Sequence, residues 1–203
     1  KIDGTLSTSY GVVDGLPVFV ISGTVKRKHE RLVAEIAQQV RDKVREDSIY
    51  RGKAIKINLR DEDGDKISDF GPDFAPRFLD LDSISVEEIV YSTATEKMLQ
   101  VNVFNPVEKT ELCRQNKIPL KRGILLEGPF GTGKTLTADM LALKCVENGW
   151  TFIYLEDARD LQMALGFAQM YAPCVLFAED VDKITSGGRD IAMDALFNSM
   201  DGV

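Results

Sequence analysis

The segment GPFGTGKT, from Gly128 to Thr135, decides the fold, because it satisfies the pattern GxxxxGK[ST] in a favourable context. It follows an apolar run, ILLE at 124–127, and it opens an amphipathic helix. The glycines at 128, 131 and 133 permit the dihedrals that turn backbone N–H groups inward and let an anion approach. The following helix adds free N–H groups and the positive end of its dipole. The segment is therefore predicted to be a phosphate-binding loop, rather than a glycine-rich turn with a chance lysine.

Two side chains of this loop are predicted to act on ATP and its metal. Lys134 is placed to reach the β- and γ-phosphates, and the Thr135 hydroxyl is a predicted ligand of Mg²⁺. The predicted nucleotide-binding residues run from the first glycine to the first turn of the helix: Gly128, Pro129, Phe130, Gly131, Thr132, Gly133, Lys134, Thr135 and Leu136.

A second apolar run, PCVLFA at 173–178, ends in the carboxylates Glu179, Asp180 and Asp182. Ligands of open α/β sheets bind at the carboxyl ends of the strands. Acids at that position can hold the water shell of a metal and polarise an attacking water. Taken alone, an apolar run with acids also fits a helix cap or a solvated strand end. Paired with the phosphate-binding loop, Glu179 and Asp180 are predicted to be the catalytic acids.

From about residue 83 onward, strands and helices alternate, which predicts a parallel sheet with helices on both faces. The predicted strands are 123–126, 151–155 and 174–178. The predicted helices are 93–102, 107–115, 134–147, 158–170 and 189–201. The fold class is therefore α/β, with a P-loop parallel sheet.

The first part of the chain has a different character. Residues 10–25 are rich in β-forming residues, and the apolar spacing from Lys26 to Glu46 predicts a helix. A strand is predicted at Ala54–Arg60, followed by an Asp-Gly turn toward a second strand. The acidic turn DEDGD at 61–65 does not have the residue order of a calcium-binding EF-hand loop.

A loop with Gly71, Pro72 and Pro76 predicts a domain boundary. We expect a small α+β N-terminal domain at residues 1–80 and the P-loop domain at residues 81–203.

Composition limits the other functions. The net charge of −7 disfavours broad electrostatic binding of nucleic acid, although the cluster Lys26–Arg31 leaves a local phosphate contact open beside a solvated helix face. No apolar stretch is long enough for a membrane span, so no membrane partner is expected. Three scattered cysteines and one histidine make a zinc site unfavourable and fit a cytoplasmic, reducing environment.

Several motifs resemble the AAA family of ATPases. RGILLEGPFGTGKTLTA at Arg122–Ala138 is similar to that family's RGVLLYGPPGTGKT signature. FNPVEKTELCRQNKIPLK at 104–121 looks like its lead-in helix and loop, and PCVLFAEDVD at 173–182 looks like its Walker B strand. FNSMDGV at Phe197–Val203 is similar to the LxxLDG stretch of its next helix. The resemblance covers roughly residues 83–203, as the front half of the ATPase module.

The resemblance implies Mg-dependent ATP hydrolysis, by a ring oligomer (a hexamer), coupled to remodelling of a protein substrate. It also implies that residues 1–80 are the substrate- or adaptor-binding domain that AAA proteins often carry at this position. Glu179 then takes the metal-shell position and Asp180 the water-activating position, whereas the family order is Asp-Glu. The segment at 156–170 is short where threading members insert an aromatic-hydrophobic-Gly pore loop. The sensor strand, arginine finger and helical lid would follow Val203. A nucleic-acid motor or loader and an ATP-binding scaffold with weak hydrolysis stay open as alternatives.

The resemblance also bears on Tyr91, which sits where family members line the adenine pocket. Ordinary packing of the tyrosine ring is the alternative interpretation.

Overall fold

The computed structural model of the chain describes residues 4–13, 16–60, 64–67, 74–82, 84 and 91–181. Its N-terminal part is a long antiparallel ribbon, in which β1 (Gly4–Val13) pairs with β2 (Leu16–Val25). The hydroxyls of Ser7 and Ser22 meet across this ribbon at 2.6 Å. The prediction of β structure over residues 10–25 is confirmed, and β1 begins several residues earlier than that range.

The predicted N-terminal helix is present as one turn of 3₁₀-helix, Arg27–His29, followed by α1 (Glu30–Asp47). Its apolar residues share one face because they recur at helical spacing. The half-buried members of that face are Leu32, Val33, Ile36, Ala37 and Val40. The ribbon and α1 give this region the α+β character that the sequence predicts.

The second sheet of the described residues has four strands in the order β4-β3-β5-β6. The strands are β3 (Ala54–Ile57), β4 (Arg77–Phe78), β5 (Thr151–Leu155) and β6 (Cys174–Ala178). The pairs β3–β5 and β5–β6 are parallel, and β4 runs antiparallel to β3 at the edge. The carboxyl ends of the three parallel strands therefore meet at one edge of the sheet.

Seven helical segments follow β4 within the described residues. They are α2 (Thr93–Leu99), a π-helix (Gln100–Phe104), α3 (Asn105–Glu108), α4 (Thr110–Gln115), α5 (Lys134–Glu147), a 3₁₀ turn (Ala158–Asp160) and α6 (Leu161–Gln169). The bounds of α5, β5 and β6 agree with the predicted bounds. No helix among the described residues is both long and apolar enough to cross a lipid bilayer.

Two buried clusters lie on opposite faces of this sheet, because successive strand residues point to opposite sides. On the α5 side, Phe152 packs with Ala142 and Cys145 of α5 and with residues of the π-helix. On the α6 side, Ile153 packs with Phe167 and with residues of β3. The helices therefore cover both faces, which confirms the α/β fold class.

The sheet joins strands from both sides of the predicted boundary near residue 80. The strand β3, predicted as part of a hairpin, pairs in parallel with β5. Where the predicted turn and second strand are described, they contribute one antiparallel bridge, between Arg60 and Lys66. The boundary itself stays a prediction, and a cut there would separate β3 and β4 from the strands that they extend.

One predicted strand is wrong. Residues 123–126 have no strand pairing in the described part of the chain, and Ile124 and Leu125 are exposed. A strand exists only where its backbone groups pair with a neighbour, and apolar character alone supplies no partner. The predicted helix at 189–201, the family-like stretch Phe197–Val203 and Asp182 lie outside the described residues.

A buried ion cluster fastens the turn after β3 to the segment that precedes α6. The Asp160 side chain is fully buried, and its two carboxylate oxygens contact Arg60 Nε at 2.9 Å and Lys66 Nζ at 3.2 Å. Arg60 Nε also lies 3.1 Å from Asp157 Oδ2. Because these partners are about a hundred residues apart, the cluster ties distant parts of the chain together.

Replacing Arg60 by alanine leaves the buried carboxylate of Asp160 without its main partner. We expect the free energy of unfolding to fall by about 3 kcal/mol, since breaking a buried ion pair strands a charge. Lys66→Ala is the matched control, because this lysine is 61% exposed and its loss should cost less than about 1 kcal/mol. Urea denaturation of both variants measures the difference, and equal small losses would contradict the account.

Candidate nucleotide-binding site

The predicted phosphate-binding loop connects residue 127 to the first residue of α5. Gly131 and Gly133 adopt φ values of +78° and +86°, in the left-handed region that glycine occupies without steric cost. Gly133 is the residue that caps α5, so the helix begins directly from the loop. The loop backbone therefore has the glycine-dependent conformation that the motif predicts.

Neighbouring side chains also lie close to two glycines of the motif, Gly128 and Gly133. A Cβ atom at Gly128 would lie 2.9 Å from Thr132 Oγ1, and one at Gly133 would lie 3.4 Å from the Tyr91 ring. The Thr132 hydroxyl donates a hydrogen bond to the carbonyl of Pro129 at 2.8 Å, which closes the loop on itself. A side chain at Gly128 would therefore crowd the loop, whereas one at Gly133 would meet the tyrosine at an ordinary contact distance and would mainly strain the backbone.

The Lys134 ammonium folds back over the loop. It donates hydrogen bonds to the carbonyl oxygens of Gly128 and Pro129, both at 2.8 Å. It lies 5.9 Å from the centroid of the Phe130 ring, which is 99% exposed. The positive charge is therefore held at the mouth of the loop, next to the backbone that would surround a phosphate.

The first predicted acid reaches the loop. Glu179 follows the last residue of β6, and its Oε1 accepts a hydrogen bond from the Thr135 hydroxyl at 2.5 Å. Its Oε2 accepts a hydrogen bond from the Tyr154 hydroxyl at 3.0 Å. The structure thus brings together the two residues predicted as metal ligands, Thr135 and Glu179.

The second predicted acid has a different environment. Asp180 is exposed, and its φ of +53° places the backbone in the left-handed region, which few residues other than glycine adopt. Local strain of this kind often marks functional positions. Its assignment as the group that orients water stays a prediction.

A comparison with protein families matches the region that contains the loop and the two acids. Residues 108–181 match the family model described as Novel STAND NTPase 3. The chain is 34% identical over 138 residues to the 26S proteasome regulatory subunit 10B of Dictyostelium discoideum, covering 59% of this chain and 35% of that relative. It is 32% identical over 122 residues to the 26S proteasome regulatory subunit S10B homolog B of Arabidopsis thaliana, covering 51% of this chain and 31% of that relative. The chain thus spans about a third of the length of these curated relatives.

These similarities agree with the loop geometry and with the sequence RGILLEGPFGTGKT that leads into α5. The chain is similar to the front half of an AAA-type P-loop ATPase, and we call this region the AAA module. Within this AAA module, the loop leads directly into α5, and the acids follow β6 at the carboxyl edge of the sheet. The resemblance that the sequence indicates is therefore confirmed at the level of the family.

Tyr91 lies against the P-loop of the AAA module. The Tyr91 hydroxyl is 2.6 Å from Thr137 Oγ1. The Thr137 hydroxyl in turn donates a hydrogen bond to the Gly133 carbonyl at 2.7 Å. The tyrosine is therefore linked to the loop through the first turn of α5. This position suits either interpretation of Tyr91, so a contact with adenine stays a prediction.

Two residues of the AAA module near Glu179 were not predicted from the sequence as part of the site. Tyr154 of β5 donates to the Glu179 carboxylate. Asp139 of α5 has a raised pKa, because burial disfavours its charged form and the nearby Glu179 carboxylate adds repulsion. Both residues have a positional signal: Asp139 lies one helical turn after Thr135, and Tyr154 is near the carboxyl end of the strand beside β6.

Proposed function

We propose that the P-loop of this AAA module binds ATP together with Mg²⁺, and that the protein hydrolyses ATP to remodel a protein assembly. The observation that carries the proposal is the hydrogen bond between Thr135 and Glu179 at the start of α5, the helix whose first residue, Lys134, folds its ammonium over the loop. A positive charge, a hydroxyl and a carboxylate then lie along one glycine-rich loop, whose backbone N–H groups we expect to bind a phosphate. This combination suits a metal-bound triphosphate better than any uncharged ligand.

The donor set fits Mg²⁺. A threonine hydroxyl and a carboxylate are hard oxygen ligands, which this ion prefers, and their oxygens are already 2.5 Å apart. In this proposal Thr135 and Glu179 hold the metal, either directly or through its water shell. The bound ion would neutralise charge on the phosphate oxygens.

The remaining roles fall to the loop and to Asp180. The loop backbone and the amino end of α5 bind the phosphates, while Lys134 moves from its carbonyl partners to the terminal phosphates. Asp180 orients the attacking water and accepts its proton. Phosphoryl transfer depends mainly on positioning and electrostatics, so these few groups account for the chemistry.

A protein target is favoured over nucleic acid. The similar proteins named above are regulatory subunits of the proteasome, a protein assembly. The segment after β5 begins with acids, and these are paired with cations: Glu156 with Lys56 at 2.8 Å and Asp157 with Arg60 at 3.1 Å. Together with a net charge of −7, this leaves no basic track at that position for a phosphate backbone. We further propose that the protein works as a ring of AAA subunits.

An ATP-binding scaffold with weak hydrolysis is the second candidate. It is favoured by Asp180, whose side chain is one methylene shorter than the glutamate of the family order. Such a residue retains the charge but stands farther from a water on the terminal phosphate.

Steady-state phosphate release distinguishes the two candidates. We expect the protein to hydrolyse ATP when Mg²⁺ is present. In EDTA the rate of hydrolysis should fall by roughly a hundredfold or more, because the metal neutralises phosphate charge. Light scattering in the same buffers should show assembly in ATP. Tight ATP binding without measurable turnover would favour the scaffold, and a monomer under every condition would contradict the ring.

A further inference from the structure

We propose that Tyr154 is a positioning residue that fixes the Glu179 carboxylate toward Thr135 and so prepares the metal site. This inference rests on the proposed function, because it assigns a task within the same Mg-ATP site. Glu179 stands where the family order has aspartate, and glutamate carries one more methylene and one more torsion. A longer side chain needs an additional contact to hold its carboxylate in one orientation.

The strand register places Tyr154 next to the acid. In the parallel pair β5–β6, Tyr154 is opposite Phe177 and Leu155 is opposite Ala178. Glu179 follows directly after this pairing, so the tyrosine hydroxyl reaches across to its Oε2 at 3.0 Å. The contact is therefore built into the sheet and does not depend on a loop.

The two oxygens of Glu179 are held from two different elements. Thr135 of α5 donates to Oε1 at 2.5 Å, while Tyr154 of β5 donates to Oε2. The terminal torsion of a glutamate is otherwise broad, because its carboxylate rotates with little preference. Donors on both oxygens select one rotation and leave Oε1 directed at the threonine hydroxyl.

The tyrosine ring is itself held in place. It is half-buried, its centroid lies 5.7 Å from that of Phe177, and Lys56 Nζ lies 5.4 Å from its centroid. Lys56 is in turn paired with Glu156 at 2.8 Å. A packed tyrosine has only two side-chain torsions to order, so its hydroxyl is presented at low entropic cost.

The electrostatic surroundings explain why a neutral donor is useful at this point. Asp139 and Glu179 place two carboxyl groups near each other, and burial, followed by repulsion from Glu179, raises the pKa of Asp139. The Tyr154 hydroxyl is an uncharged hydrogen-bond donor. Tyr154 thus donates to the acid without adding a charge that would compete with a metal.

The variant Tyr154→Phe tests this role, because it removes the hydroxyl and retains the ring. The probe is a fluorescent N-methylanthraniloyl derivative of ATP, titrated first in EDTA and then at rising Mg²⁺ concentrations. The affinity for the ATP derivative should increase with Mg²⁺, and we expect the Mg²⁺ concentration that gives half of this increase to rise roughly tenfold in the variant. A loss of this size is typical when a group that orients a metal ligand is removed. The affinity in EDTA should stay unchanged, since the phosphates are bound by the loop.

Two further variants sharpen the result. Tyr171→Phe is the matched control, because this half-buried tyrosine precedes β6, at the opposite end of that strand from Glu179. It should leave the Mg²⁺ requirement unchanged. In a Glu179→Gln background, Tyr154→Phe should change the Mg²⁺ requirement little further, because the effects of two residues that act through one contact are not additive.

The outcomes separate this inference from the function on which it rests. Normal binding by the wild-type protein, with an unchanged Mg²⁺ requirement in Tyr154→Phe, would overturn the positioning role alone. An equal loss of affinity in EDTA and in Mg²⁺ would also overturn it, since that pattern indicates general damage to the pocket. If the wild-type protein binds no nucleotide analogue, the proposed function fails and takes this inference with it.

Discussion

Lys134→Ala is expected to weaken ATP binding by about a hundredfold or more, because it removes the only flexible positive charge that the P-loop itself carries. The ammonium contacts two loop carbonyls and an exposed phenyl ring, and none of these belongs to the buried clusters. The free energy of unfolding of the variant should therefore lie within about 0.5 kcal/mol of the wild-type value. Isothermal titration with ATP in Mg²⁺, together with urea denaturation, measures both quantities.

The control for this variant is Lys121→Ala, which removes an exposed lysine of the preceding segment outside the loop. It should bind ATP with the affinity of the wild-type protein. This result would show that the loss of affinity in Lys134→Ala does not come from the change in overall charge. An unchanged ATP affinity of Lys134→Ala in Mg²⁺ would contradict the assignment of the P-loop.

The two acids at the end of β6 should respond differently to neutral replacements. Asp180→Asn is expected to bind ATP with nearly unchanged affinity while turnover falls by roughly 10²-fold or more, because the group that orients and deprotonates water is lost. Glu179→Gln should instead weaken the Mg²⁺ dependence of binding, because its carboxylate lies beside the Thr135 hydroxyl. Phosphate release and nucleotide binding, measured side by side, distinguish these outcomes.

Restoring the family order provides the matched test of the pair. The double variant Glu179→Asp with Asp180→Glu should hydrolyse ATP at an equal or higher rate, since it moves the base one methylene closer to the water. Trapping of ATP by Glu179→Gln, combined with normal turnover by Asp180→Asn, would reverse the two assignments.

The sequence was sufficient to predict the central elements of the ATPase sheet. The helix α5 and the strands β5 and β6 have the predicted bounds, because a glycine-rich start and short apolar runs define them locally. The meeting of Thr135 with Glu179 also followed from the sequence, since a loop and an acid at the carboxyl ends of a parallel sheet share one edge.

Pairing between distant strands could not be predicted in the same way. Alternation in β3 specifies which side chains are buried, but it does not identify the neighbouring strand, which is β5. Residues 123–126 have the composition of a strand, yet the described chain provides no strand beside them. The contact of Tyr154 with Glu179 and that of Arg60 with Asp160 likewise depend on pairings that local patterns do not encode.

Calorimetric titration of the wild-type protein with ATP, with Mg²⁺ and then with EDTA, tests the central claim most directly. The account predicts one saturable site for each chain, with an affinity that rises when Mg²⁺ is present, because Thr135 and Glu179 hold the metal beside the phosphates. No binding heat under either condition, or an affinity indifferent to Mg²⁺, would contradict a metal-dependent ATP site at Gly128–Thr135.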